Sequence, residues 1–206
     1  MAKKGYTDRA AVEDYLLQTI SESFLGRLDK WIEATEKFID TFTGRNFIAD
    51  STESERLFNG DGTNELVIDD CIEIVKVEVG QDGFGGSFEE VAAAGTGPDC
   101  YFSLPANATV KGKPMTMIRL NARTLLEGTQ NHRVTAKWGY SEEVPADISL
   151  AATVLVAGIL NNALGVGGKV SQEKVGDYSV SYANDQQEND FATVKKTLSN
   201  YRRIAV

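Results

Sequence analysis

Apolar residues recur along the N-terminal quarter of the chain at spacings of three and four, the mark of amphipathic helices. Val12, Leu16, Leu17 and Ile20 share one face of a first helix, with Thr7 placed as N-cap and Asp8 as a first-turn acid. Leu25, Leu28, Ile32, Thr35, Ile39 and Phe42 form a more regular stripe, widened by Trp31 and Phe38. Gly44 is positioned to end that second helix.

Between residues 51 and 140 the period shortens. Residues 55–58 and 65–68 flank Asn-Gly and Asp-Gly steps at 59–62, which predicts a hairpin. Ile72, Ile74, Val75, Val77 and Val79 make a β-branched run, and 101–104 and 115–120 are further short strands. In 132–140, Val134, Ala136 and Trp138 face one way and Arg133, Thr135 and Lys137 the other. The glycine-rich stretch 80–99 reads as a long mobile loop.

Past Tyr140 the helical texture returns. Pro145 suits a first helical turn, and residues 146–164 are apolar on nearly every side, which predicts a helix buried from several directions. The glycines of 165–168 end it, and 177–182 alternates like a strand with Tyr178, Val180 and Tyr182 on one face. A last helix carries Phe191, Val194, Leu198 and Tyr201 on one side, and Arg202 and Arg203 follow it. The sum is an α+β fold: a helical bundle core from residues 1–50 and 141–206, with a small antiparallel β domain inserted at 51–140.

Composition narrows the functional classes. The 206 residues carry a formal net charge of -9, and an excess of carboxylates repels the phosphate backbone of nucleic acids. Cys71 and Cys100 lack any CxxC or Cys/His spacing and read as two reduced thiols, with a single bridge left open. Two lysines near the N-terminus precede no apolar segment, so no signal peptide is expected. The apolar run 150–160 is too short to cross a bilayer, and no membrane partner is expected.

Chemistry is sparse. The single histidine, His132, stands at a strand edge without a neighbouring nucleophile or acid motif. His and Cys are too few and scattered for a zinc site, and 59–65 lacks the alternating acids of a calcium loop. Residues 80–86 follow a strand but open no helix and carry no Lys-Ser/Thr pair, so they make no phosphate cradle. Neither catalytic residue, metal nor cofactor is expected. Tyr178, Val180, Tyr182, Tyr201, Arg202 and Arg203 are the candidate contacts to partners or sister subunits, through strand addition and a mobile C-terminal tail.

Several segments, taken in order, resemble the head–tail connector (adaptor) proteins of long-tailed double-stranded DNA phages. They are Tyr6-Thr-Asp8 with Val12 and Tyr15-Leu16, then Phe38-Ile-Asp-Thr-Phe-Thr-Gly-Arg-Asn-Phe47, and Phe58-Asn-Gly-Asp-Gly62 with Leu66-Val-Ile68. Ile118-Arg-Leu120, Val134-Thr-Ala-Lys-Trp-Gly-Tyr140 and Pro145-Ala-Asp-Ile148 continue the series. Glu173-Lys-Val-Gly-Asp-Tyr-Ser-Val-Ser-Tyr182 is the most similar piece, and 198–203 closes it. Compact members of the family are nearly all helical, so the β insert is a departure. The resemblance implies a homo-oligomeric ring, commonly dodecameric, that docks on the portal protein and extends the DNA channel towards the tail. Double-stranded DNA would then pass without specific binding. It also implies tail or tail-completion proteins as partners, a place in the virion neck and assembly in the host cytoplasm. Another neck or tail-completion role, or a β-rich ligand-binding module, are the competing readings.

Overall fold

The computed structural model describes residues 4–94, 97–164, 171–175, 178–182 and 185–203; of 171–188 it describes backbone only. The fold is mixed α+β. Its two compact units are Met1–Arg45 with Val144–Val206, and Asn46–Glu143.

In the first unit, α1 (Arg9–Leu16) is capped by Asp8, not Thr7: the Asp8 carboxylate accepts the Ala11 N–H at 2.8 Å. Thr7 is buried and its hydroxyl meets that of Thr153 at 2.8 Å. α1 stops one residue before Leu17, which turns left-handed (φ 52°) and is 89% exposed, so the expected apolar face loses that member. α2 (Glu22–Thr43) buries Leu28, Ile32, Thr35 and Ile39 as its stripe predicts, and Gly44 closes it at φ 68°. α3 (Ala146–Leu164) buries eight of its residues, and α1, α2 and α4 (Asp185–Asn200) each pack against it. Val156, Ala157 and Leu160 meet Val12, Leu28 and Ile32 there. The 150–160 run is thus the middle of a longer helix, one that by length and composition is long and apolar enough for a membrane span. Its packing against three other helices is what a core helix shows. β7 (Ser171–Val175) and β8 (Tyr178–Tyr182) form an antiparallel pair.

Glu36 anchors the chain ahead of α1. It is buried, and its carboxylate accepts the backbone N–H groups of Lys4 (2.8 Å), Gly5 (2.8 Å) and Tyr6 (3.0 Å). Asp40, one turn further along α2, takes the Tyr6 hydroxyl at 2.6 Å and the Lys4 ammonium.

The second unit holds β1 (Ser54–Gly60), β2 (Glu65–Gly80), β3 (Phe88–Ala93), β4 (Cys100–Leu104), β5 (Met115–Leu120) and β6 (Gly128–Trp138). Their order is β1-β6-β2-β3-β4-β5, and β2 also pairs with β5, closing a small barrel. The expected hairpin over 55–68 does not form, because β6 lies between β1 and β2 and pairs with both. Two expected strands, 65–68 and the run from Ile72, are one strand, β2. Register shifts between Val67 and Cys71 and again along the β6 pairing let it bend from β5 to β3. The expected mobile loop 80–99 contains β3, which pairs antiparallel with β2 and parallel with β4. So the sheet is not wholly antiparallel. Ile68, Val134, Ala136 and Trp138 lie among its core residues, and the Trp138 indole N–H donates to the Ser54 carbonyl at 2.8 Å.

Replacing Glu36 with Ala removes three charge-assisted hydrogen bonds, each worth about 1.5–3 kcal/mol and not additive. We expect a loss of about 3 kcal/mol in urea unfolding, with the segment before α1 becoming protease-sensitive. An unchanged midpoint would contradict the anchoring role.

Candidate functional site

Tyr201, Arg202 and Arg203 leave the end of α4 and are fastened to the first unit. The Tyr201 hydroxyl donates to Asp147 at the start of α3, 2.8 Å from one carboxylate oxygen and 3.0 Å from the other. Its carbonyl accepts the Arg45 guanidinium N–H at 2.6 Å. The Arg203 backbone N–H donates to the Thr43 carbonyl at 2.7 Å, meeting an acceptor that the end of α2 leaves over. Arg202 is exposed, with its guanidinium 5.9 Å from the Phe42 ring centre. The expectation of a mobile tail is corrected for these three residues: they tie α2, α3 and α4 together. Tyr178, Val180 and Tyr182 lie on β8, but their side chains fall outside the described residues. The structure therefore does not bring the two groups of candidates into one site.

The electrostatics divide between the units. Residues 46–143 hold eight Lys and Arg against 16 Asp and Glu, a formal -8, while the remainder holds 13 against 14. Most cations of the β unit are already engaged. Arg133 makes two 2.8 Å bonds to Glu78, and Lys76 reaches the same carboxylate at 2.9 Å. Arg56 bonds Asp69 at 2.7 Å, Lys137 bonds Glu73 at 2.6 Å, Arg119 bonds Glu65, and Arg123 bonds Asp99 and Glu89. With six of its eight cations engaged in this way, an acidic surface of that kind disfavours phosphates.

His132 is a structural residue. It is buried, its Nδ1 accepts the Gly80 N–H at 3.2 Å, and its Nε2 donates to the Leu126 carbonyl at 3.1 Å. Burial holds its pKa below the ordinary value. Asn131 beside it accepts the Gly60 N–H at 3.0 Å and donates to the same Leu126 carbonyl at 2.8 Å. The backbones crowd so closely that a Cβ on Gly60 would stand 2.0 Å from the Leu126 oxygen. Cys71 and Cys100 are free and buried, and burial pushes the Cys71 thiol up to about 12. Among the described residues no group of three or more His, Cys, Asp or Glu is placed to hold a metal. One groove of the β unit, of about 480 Å³, runs past Ile72, Glu73, Thr109, Lys113, Tyr140 and Glu142. Glu73, Lys113 and Glu142 are exposed, unlike the buried, converging polar groups of a small-molecule site.

Sequence reasoning missed two apolar side chains that the β unit holds out. Phe84 is 94% exposed and Val110 86%. For Phe84 the sequence carries a signal, a lone aromatic among the glycines of 80–86.

Two outcomes check this description. Tyr201→Phe deletes the bond to Asp147, and we expect a loss of about 1 kcal/mol in denaturant melts; no change would contradict the tie. Because the unfolded chain protonates His132 first, the stability due to its neutral form is complete above about pH 6.5. It declines as pH falls below that value and levels off once the folded-state pKa is passed. His132→Gln should lack this decline when unfolding is measured from about pH 7 to 5.5. Parallel curves would contradict it.

No family model matches the sequence, and no curated protein matches it. Solved structures do. A chain in the neck of an empty gene transfer agent particle, computed with C6 symmetry, matches at a TM-score of 0.57 and 14% identity. A chain in the virion of a native gene transfer agent particle matches at 0.54 and 15%. Each match covers 100% of this chain and 94% of the other. The likeness is one of fold, and it spans the β unit as well as the helices.

Proposed function

We propose that the chain is a structural subunit of a phage neck, with no enzymatic role. Copies form a ring through their helical bundle cores; the ring docks on the portal protein and extends the DNA channel towards the tail and its completion proteins. The observation that carries this reading is the end-to-end fold likeness to a chain in the neck of a gene transfer agent particle. The six-fold symmetry of that neck is compatible with a ring of twelve.

The chemistry supports the reading. The acidic β unit, with most of its cations paired internally, gives DNA little to bind as it passes. Leu150 on α3 is 57% exposed, an apolar position for a neighbouring subunit to cover. β8, with Tyr178, Val180 and Tyr182, and the exposed Arg202 of the Tyr201–Arg203 segment remain the proposed contacts to partners. The site of action is the virion neck, after assembly in the host cytoplasm.

The test is to mix the purified chain with portal rings and image the product. We expect annular density coaxial with the portal, built on a chain that is monomeric alone. Portal rings that stay bare at micromolar concentrations would overturn the assignment.

A further inference from the structure

Two loops of the β unit each hold out one apolar side chain, and they differ in charge. Residues 81–87 form the first. Its Asp82 carboxylate accepts the N–H groups of Phe84 and Gly86, both at 3.0 Å, and Gln81 N–H donates to the Ser87 carbonyl at 2.9 Å. Gly85, at φ 71°, lies so close to β6 that an added Cβ would stand 2.7 Å from the Gln130 oxygen. Phe84 therefore projects from a fixed base and pays little ordering entropy on contact. Leu126, half exposed, and the exposed Glu127 belong to the adjoining turn, whose backbone approaches Gly83. With Asp82, whose pKa its backbone donors hold below the usual carboxylate range, this end carries an acidic rim.

The second loop is the tight turn around Thr109–Lys111. Lys113 N–H donates to the Ala108 carbonyl at 2.9 Å and Gly112 N–H to that of Thr109 at 3.0 Å. Val110 projects from it. Lys111 and Lys113 are the cations of the β unit that take no carboxylate partner within it among the described residues. Beside them runs the groove of about 480 Å³ with Ile72 and Tyr140 in its lining. Its two carboxylates are attended by Lys137: Glu73 directly at 2.6 Å, Glu142 through its field.

Register puts the loops at opposite ends of the sheet. His132 of β6 faces Val79, just before the Phe84 loop, while Trp138 faces Cys71, the residue that also pairs with Met115 just past Lys113. The six steps from His132 to Trp138, roughly 20 Å at 3.3 Å per residue, separate the two register positions. Resting on the ring reading above, we propose that Phe84 of one copy seats in the groove beside Lys113 of the next, with Asp82 and Glu127 facing Lys111 and Lys113. A knob and its receptor on opposite ends of one unit make a head-to-tail contact. That is the heterologous kind, which builds rings where its rotation closes and does not build two-fold dimers.

Disulfide trapping tests this in the full chain, alone and on portal rings, because Cys71 and Cys100 are buried. Phe84→Cys with Thr109→Cys should oxidise to a ladder of linked oligomers, and neither single variant should link. A dimer from Phe84→Cys alone would mean a two-fold contact and overturn the proposal. In a second arm, Lys113→Glu should raise the concentration midpoint of assembly on the order of ten-fold, and adding Glu127→Lys should restore it. Normal midpoints for Phe84→Ala and Lys113→Glu would overturn this contact and leave the ring standing. No ring from the unaltered chain would overturn both. Lost tail-protein binding by Phe84→Ala, with self-assembly intact, would assign the knob to another partner and overturn the proposal too.

Discussion

A helix without a polar face has to be enclosed, and α3 imposes that condition on the helical unit. Eight of its residues are buried, and α1, α2 and α4 are the elements that bury them. Its polar side chains are held: Asp147, near the N-terminus, takes the Tyr201 hydroxyl, and Thr153, further along, meets Thr7. The other ties follow from keeping that cover in place. Glu36 holds the chain ahead of α1 onto α2, while Arg45 and Thr43 hold the segment after α4. Where cover runs out, as at Leu150, apolar surface is left for something outside the chain.

In the β unit the corresponding constraint is the length of β2. A 16-residue strand twists too far to keep the same neighbours along its whole course. Its first part pairs with β5 and its last with β3, and the register shifts supply the bends that close the barrel. The end of that barrel next to the Phe84 loop is made rigid by close backbone contacts at Gly60 and Gly80 and by the buried Asn131 and His132. A rigid end turns a short loop into a defined surface, and the acidic Phe84 loop is the result; at the other end the lysine-flanked Val110 turn is held by its own backbone hydrogen bonds.

Much of this was legible in the sequence, and the failures have physical causes. The α2 stripe, the alternation along β6 and the apolar α3 follow from side-chain period and the α2 stop from Gly44. α2 and α3 formed where expected, while β6 starts at Gly128 and ends at Trp138, four residues before and two before the expected bounds of 132–140. Pairing partners were not legible. The Asn-Gly steps at 59–62 read as a hairpin, but β6, more than sixty residues on, displaced that local pairing. β3 was hidden because its sequence, FEEVAA, buries Val91 alone, too little pattern to distinguish from loop. The Tyr201 and Arg203 contacts were hidden for a different reason: they run largely through backbone groups and a distant carboxylate, which no local spacing announces. The fold likeness to the neck and virion chains takes in the β insert as well as the helices.

The proposed ring requires the chain to associate with copies of itself. Exposed apolar side chains, a charge imbalance concentrated in the β unit and a fold like that of a neck chain all bear on it. Native mass spectrometry of the complex recovered from portal rings is the most direct measurement. The account predicts one discrete species, a fixed multiple of the 22.4 kDa chain that does not grow with concentration, as a closed ring requires. A single chain per portal assembly, or an open series of masses without an end point, would contradict it.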